Sequence, residues 1–172
     1  MPEGTYIMES LAIAKALEKA NPEPSLKLDS GYVDRVQDAV MKMFSGLVAK
    51  ALPRVPEMLL NERSAEYFYR TREAKFGTSL QDLAKSEKAG EVAWQNASAG
   101  QKETGAILHE HADGPYVLGK EPSYADLVLA GFFAMLKRVD KDGDLFDRFM
   151  SFDAAFVKHW EACRKWLERD DY

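Results

Sequence analysis

Gly119-Lys-Glu-Pro-Ser-Tyr-Ala-Asp-Leu-Val-Leu-Ala-Gly-Phe-Phe133 is the stretch on which the fold turns. Ser123 stands where a helix N-cap would stand, and Asp126 follows three residues later. At that spacing the serine oxygen accepts from the backbone N–H three residues on, and the carboxylate reaches back to the serine N–H. From 124 to 139 the side chains are nearly all apolar: Leu127, Val128, Leu129, Ala130, Phe132, Phe133, Met135 and Leu136. A soluble helix that is apolar on every side sits at the centre of a bundle. Bare amides at a buried helix start are costly, so Ser123 and Asp126 read as structural residues rather than catalytic ones.

Upstream, Asp29-Ser30 are expected to cap a long helix whose apolar positions Val33, Val36, Val40, Met43, Leu47 and Ala51 step by three and four. Pro53 and Pro56 break it. A further helix is predicted from near Asn61 to about Lys75, with Gly77 as its stop. Residues 80–111 are helix-prone but weakly patterned, and Gly90, Gly100 and Gly105 count against a helix there. Asp113-Gly114-Pro115 is a clear break. Downstream come a short helix near 144–150 and a last one over about 153–168, with Phe156, Trp160, Cys163 and Leu167 on one stripe. Near the start, residues 5–8 are β-prone, and residues 9–20 form an amphipathic helix ended by Asn21-Pro22-Glu23-Pro24. The sum is six or seven helices and at most one strand, an all-α fold.

Composition narrows the function classes. With 172 residues the chain holds one domain, or one domain and part of another. The net charge of -5, without a basic block, argues against a nucleic-acid partner. No apolar run reaches the roughly 18 residues of a membrane helix, and Met1-Pro2-Glu3-Gly4 lacks a secretion signal's basic start. The single cysteine, Cys163, permits neither an internal disulfide nor a cysteine-based metal cluster. These features fit a cytoplasmic protein.

Two segments together resemble the glutathione transferase superfamily. The 119–133 stretch looks like the capping-box segment that opens the family's central helix. Gly4-Thr-Tyr-Ile-Met-Glu-Ser-Leu-Ala-Ile-Ala-Lys-Ala-Leu-Glu-Lys-Ala-Asn-Pro22 is similar to the last strand and helix of its thioredoxin-like half. Between them, Pro53-Arg-Val-Pro56 and Tyr67-Phe-Tyr-Arg-Thr-Arg-Glu-Ala-Lys-Phe-Gly77 look most like fungal members. The resemblance implies a helical bundle of the C-terminal type over 29–172, with a remnant strand and helix of the thioredoxin-like domain over 1–22.

It also implies glutathione as cofactor, with Glu9 and Ser10 holding its γ-glutamyl end. A carboxylate suits the ligand's ammonium, and a hydroxyl with helix N-terminal amides suits its carboxylate. The plainer reading of the pair is an ordinary helix start, where both residue types are favoured. The family's thiol-activating residue and cis-proline loop lie upstream of this segment, so no catalytic residue is carried over. Three explanations stand: a truncated product or alternative start, a residual glutathione site working in an assembly, or loss of glutathione with the hydrophobic-substrate half kept. Truncation would leave one face of helix 9–20 uncovered and favour a homodimer.

Tyr67 and Arg70 are the candidates for binding a small hydrophobic substrate. The alternative is core packing for Tyr69 and surface pairing of Arg70 and Arg72 with Glu66 and Glu73. The resemblance implies conjugation of an electrophile, or cis–trans isomerisation by addition and reversal, in detoxification or secondary metabolism. A non-catalytic ligand-binding or assembly module is the alternative. His109 and His111 would point about 200° apart on a helix, so no metal site is expected there. Asp140-Lys-Asp-Gly-Asp144 has its glycine too early for a calcium loop and reads as a helix-capping loop. Trp94, Trp160, Trp166 and Cys163 read as core, Cys163 with no activating base beside it.

Overall fold

The computed structural model describes residues 6–111 and 113–168. Nine α-helices run through them: α1 (Ser10–Ala20), α2 (Tyr32–Ala51), α3 (Val55–Leu59), α4 (Glu62–Phe76), α5 (Leu80–Lys85), α6 (Glu91–His109), α7 (Tyr124–Arg138), α8 (Phe146–Met150) and α9 (Ala154–Cys163). Short 3-10 turns at Leu52–Arg54, Glu87–Ala89 and Arg164–Trp166 join or extend them. The all-α class is as expected, with more and shorter helices than the pattern suggested. The strand expected at 5–8 does not form at residues 6–8, which pair with no neighbouring strand; residue 5 lies outside the described residues. The only strand-like pairing among the described residues is the two bridges Tyr116–Gly119 and Leu118–Glu121, just before α7.

α2 and α6 form the largest helix pair. Their backbones nearly touch. A Cβ on Gly100 would sit 2.7 Å from the Ala39 carbonyl oxygen, and one on Gly46 would sit 2.7 Å from the Ala97 Cα. That is why residues 80–111 carried a weak helical signal. The inner face of α6 is Ala93, Ala97, Gly100 and Thr104, chosen for closeness rather than bulk. The glycine that costs α6 helix propensity is the one that admits α2.

α7 lies against this pair and carries the large side chains. Phe133 is fully buried, with its ring 5.6 Å from those of Phe149 and Phe156. Aromatic rings at such separations pack edge to face or offset. α7 is not covered on every side, however: Leu127 is 38% exposed and Gly131 faces outward. The apolar positions expected on α2 hold, with Val33, Val36, Met43, Leu47 and Ala51 buried and Val40 packed against the core. Its N-cap is Gly31 at φ 76, not Ser30, whose hydroxyl accepts from Tyr32 N two residues on.

Pro53 and Pro56 end α2 as expected, but they open the next turns at helix-compatible first positions instead of stopping helical structure. α4 begins at the Asn61 cap and ends at Gly77, φ 68, as predicted. It buries none of its residues fully. Phe68, Tyr69 and Phe76 lean on a small separate cluster of Ala49, Leu52, Leu80 and Leu83.

Candidate functional site

Glu9 and Ser10 open α1. Glu9 is the N-cap, at φ 72 and ψ 125, and its carbonyl accepts from Ile13 N at 2.9 Å. A non-glycine residue in that region costs on the order of 1–3 kcal/mol and persists only where its surroundings enforce it. Neither side chain turns back to cap the helix, and both are exposed. The first-turn amides of α1, which no intrahelical carbonyl reaches, therefore share one open surface with a carboxylate and a hydroxyl. α1 is held at its other end. Glu18 accepts from Ser25 Oγ at 2.7 Å and Leu26 N at 2.8 Å, while Leu11 and Ala14 pack inward.

Tyr67 and Arg70 meet on the outer face of α4. The Arg70 guanidinium lies 5.7 Å from the Tyr67 ring centroid, and Tyr67 is 61% exposed. Together with Asn61, Glu62, Arg63 and Glu66 they line a hollow formed by α4 and its cap alone. Arg72 lies 4.9 Å from the Phe68 ring. Both arginines thus sit over aromatic rings, where the alternative had them pairing with Glu66 and Glu73. Tyr69 packs as that alternative held. α1 rests on the main core and α4 on the small cluster.

The histidines diverge. His109 Nε2 lies 3.0 Å from Asp153 Oδ2, at the cap of α9, whereas His111 Nε2 lies 3.1 Å from the Tyr32 hydroxyl. Between them Glu110 accepts from Arg35 and, at 2.6 Å, from Tyr32, and these bonds hold its carboxyl down to about 2. No group of three or more metal-binding side chains occurs among the described residues. Asp140 Oδ1 accepts from Leu145 N at 2.7 Å and Phe146 N at 2.9 Å, so this loop is the helix cap expected of it. Asp144 does something the sequence did not suggest: it pairs with Arg54 and with Lys50 at 2.9 Å, tying the α2–α3 turn to the loop after α7.

The capping box at Ser123 and Asp126 is present, and it is the visible half of a larger hub. One Asp126 oxygen accepts from Ser123 N and Ser123 Oγ, both at 2.7 Å. The other accepts from Val117 N at 2.8 Å and lies 3.1 Å from His159 Nε2. Asp126 and His159 are both fully buried. Burial by itself would raise the Asp126 pKa, but the bonds from His159, Val117 and Ser123 outweigh it and the net shift is downward.

Sequence reasoning misses His159, although it falls between Phe156 and Cys163 at helical spacing, on the stripe that reads as core. It also corrects the expectation that no base lies beside Cys163, whose sulfur is 3.7 Å from His159 Nε2. The trio is nevertheless sealed. Burial, and then the Asp126 charge, push the Cys163 thiol up to about 12, which is the opposite of nucleophile activation. Trp166, expected in the core, is partly exposed and lies beside Tyr116.

A family profile for the glutathione S-transferase C-terminal domain matches residues 31–166. The glutathione S-transferase-like protein ustS of Aspergillus flavus is 29% identical over 177 positions; these cover 97% of this chain and 63% of that protein. A glutathione S-transferase of Ceriporiopsis subvermispora, solved in complex with glutathione, superposes with a TM-score of 0.77 at 26% identity, over 100% of this chain and 76% of its own. A glutathione transferase of Phanerochaete chrysosporium superposes at 0.72 with 27% identity, over 97% of this chain and 68% of its own. The chain thus spans somewhat less than two thirds of the curated relative it matches.

Proposed function

The chain belongs to the glutathione S-transferase family through its C-terminal helical domain, and on that premise we propose that it works in glutathione chemistry on a small hydrophobic electrophile. The observation that carries the reading is the start of α1. Glu9 is held at φ 72 beside an uncapped helix N-terminus, with its carboxylate exposed. In this reading the Glu9 carboxylate pairs with the ammonium of the γ-glutamyl group. Ser10 and the α1 amides take that group's carboxylate. Glutathione bound to two neighbours of this fold, each solved with it, is consistent with that assignment.

Tyr67 and Arg70 would face the hydrophobic substrate. The glutathione sulfur adds to an electrophilic carbon of the substrate. The displaced electron pair leaves with a leaving group, or rests on the neighbouring atoms until rotation and loss of glutathione return the isomer. Conjugation and isomerisation share that first step, and either serves detoxification or secondary metabolism. No residue of this chain is assigned to thiol activation. Residues 1–22 fit the end of a thioredoxin-like domain, and 29–172 the helical domain. The cytoplasm is the compartment this chemistry suits.

Titration calorimetry with millimolar glutathione tests the reading. Heat and a raised melting temperature are expected, and Glu9→Ala should abolish both. Unchanged affinity in Glu9→Ala would remove the site. A second reading, a non-catalytic binding or assembly module, is favoured by the outer face of α1, where Ile13 and Leu17 are 41% and 48% exposed. Under it, and in the first reading too, a homodimer is proposed. A monomeric mass by light scattering at micromolar concentration would count against it.

A further inference from the structure

We propose that the hollow between α6 and the turn joining α8 to α9 is a binding site for an uncharged planar aromatic molecule that carries a carbonyl or hydroxyl group. Trp94, Ser98 and Gln101 of α6 recur on one stripe at intervals of four and three and form its floor; Arg148, Ser151 and Phe152 form its wall. The hollow measures about 450 Å³, within the range of small-molecule sites.

Gln101 marks it as more than a surface irregularity. The residue is only 3% exposed, and among the described residues its amide has no hydrogen-bond partner. Yet among the described residues no side-chain polar atom is both sealed off and unpartnered, so the little surface Gln101 keeps includes that amide, and Gln101 lines the hollow. A buried amide in that position bonds whatever enters, donating to a carbonyl or accepting from a hydroxyl.

The other walls set the rest of the specificity. The Arg148 guanidinium lies 4.5 Å from the Trp94 ring and donates twice to Glu91 at 2.6 Å. Its charge is already matched, which favours a neutral guest over an anion. Phe152 stacks on Phe156 with planes 14° apart, which holds its ring in the lining of the hollow. The site shares no residue with Glu9, Ser10, Tyr67 or Arg70.

Coumarin, neutral and planar with a lactone carbonyl, is the probe. It would be titrated into the full chain while ¹⁵N–¹H spectra follow the Gln101 side-chain amide and the Trp94 indole N–H. Saturable shifts of both signals are expected. Gln101→Leu, which keeps the volume and removes the amide, should weaken binding at least tenfold while its spectrum stays dispersed. Should that variant fail to fold, Ser98→Leu is expected to fill the hollow and abolish the shifts. No saturable shift up to the solubility limit, shifts confined to α1 or α4, or equal affinity in Gln101→Leu would overturn the proposal.

Discussion

At the start of α7 the serine comes first and the acid follows three residues later; at the start of α1 the acid comes first and the serine follows directly. The same chemistry gives opposite results. In α7 the two side chains close on the helix's own amides, and Asp126 takes in Val117 and His159 as well, so the terminus is buried and complete. In α1 the acid sits at the N-cap at φ 72, its carboxylate makes no cap bond, and the terminus stays open. The two helix starts thus differ in whether side chains close on their amides or leave them open. The buried start should be sensitive in stability and the open one sensitive in binding.

The largest effect that would test this contrast is Asp126→Ala. It strands two buried amides, the Ser123 hydroxyl and His159, and should destabilise by about 3–5 kcal/mol, measured as the urea midpoint. A loss below about 1 kcal/mol would erase the difference between the two helix starts. The contribution also depends on pH, with a definite sign. Because the folded-state pKa of Asp126 is lowered, its stabilisation is fully present above the ordinary aspartate range and is lost as pH falls through the folded value. The stability gap between the wild type and Asp126→Asn should therefore be wide at neutral pH and narrow in acid.

Ser123→Ala removes one arm of the box and should cost about 1–2 kcal/mol, with Asp126 still bonded to Val117 and His159. The smallest effect, and the one of opposite sign, is Glu9→Gly. Glycine adopts φ 72 without strain, so thermal unfolding should show a gain of about 0.5–1 kcal/mol, offset in part by added unfolded-state entropy. Glutathione affinity should fall in the same variant. A loss of stability there would mean that Glu9 is an ordinary helix cap.

Legibility in the sequence followed the range of each interaction. The α7 box was readable because its partners are three residues apart and their roles are set by helix geometry. Its second half was not, because His159 is 33 residues from Asp126 and only the packing of α9 on α7 brings them together. α7 announced itself through large apolar side chains, whereas α6, equally central, stayed faint because its inner face is small. Glu9 and Ser10 could be located by position, but the positive φ that distinguishes Glu9 from a plain helix start leaves no trace in residue type. Trp166 reads as core from the sequence but lies in a 3-10 turn past the last packed helix, where it is partly exposed.

The touching backbones of α2 and α6 have a consequence for how such a protein can change over generations. Gly46 faces the main chain of Ala97, and Gly100 faces that of Ala39, so no exchange of side chains on the opposite helix could make room for a larger residue at either glycine. Drift by substitution is closed at the crossing. The segment from 60 to 78, which contains the outlying α4 and buries none of its residues fully, carries no such restriction. Insertions and deletions there would alter the outer face of the molecule without disturbing the clamp beneath it, so descendants of this fold should diverge in the length of that strap while the crossing keeps its residues.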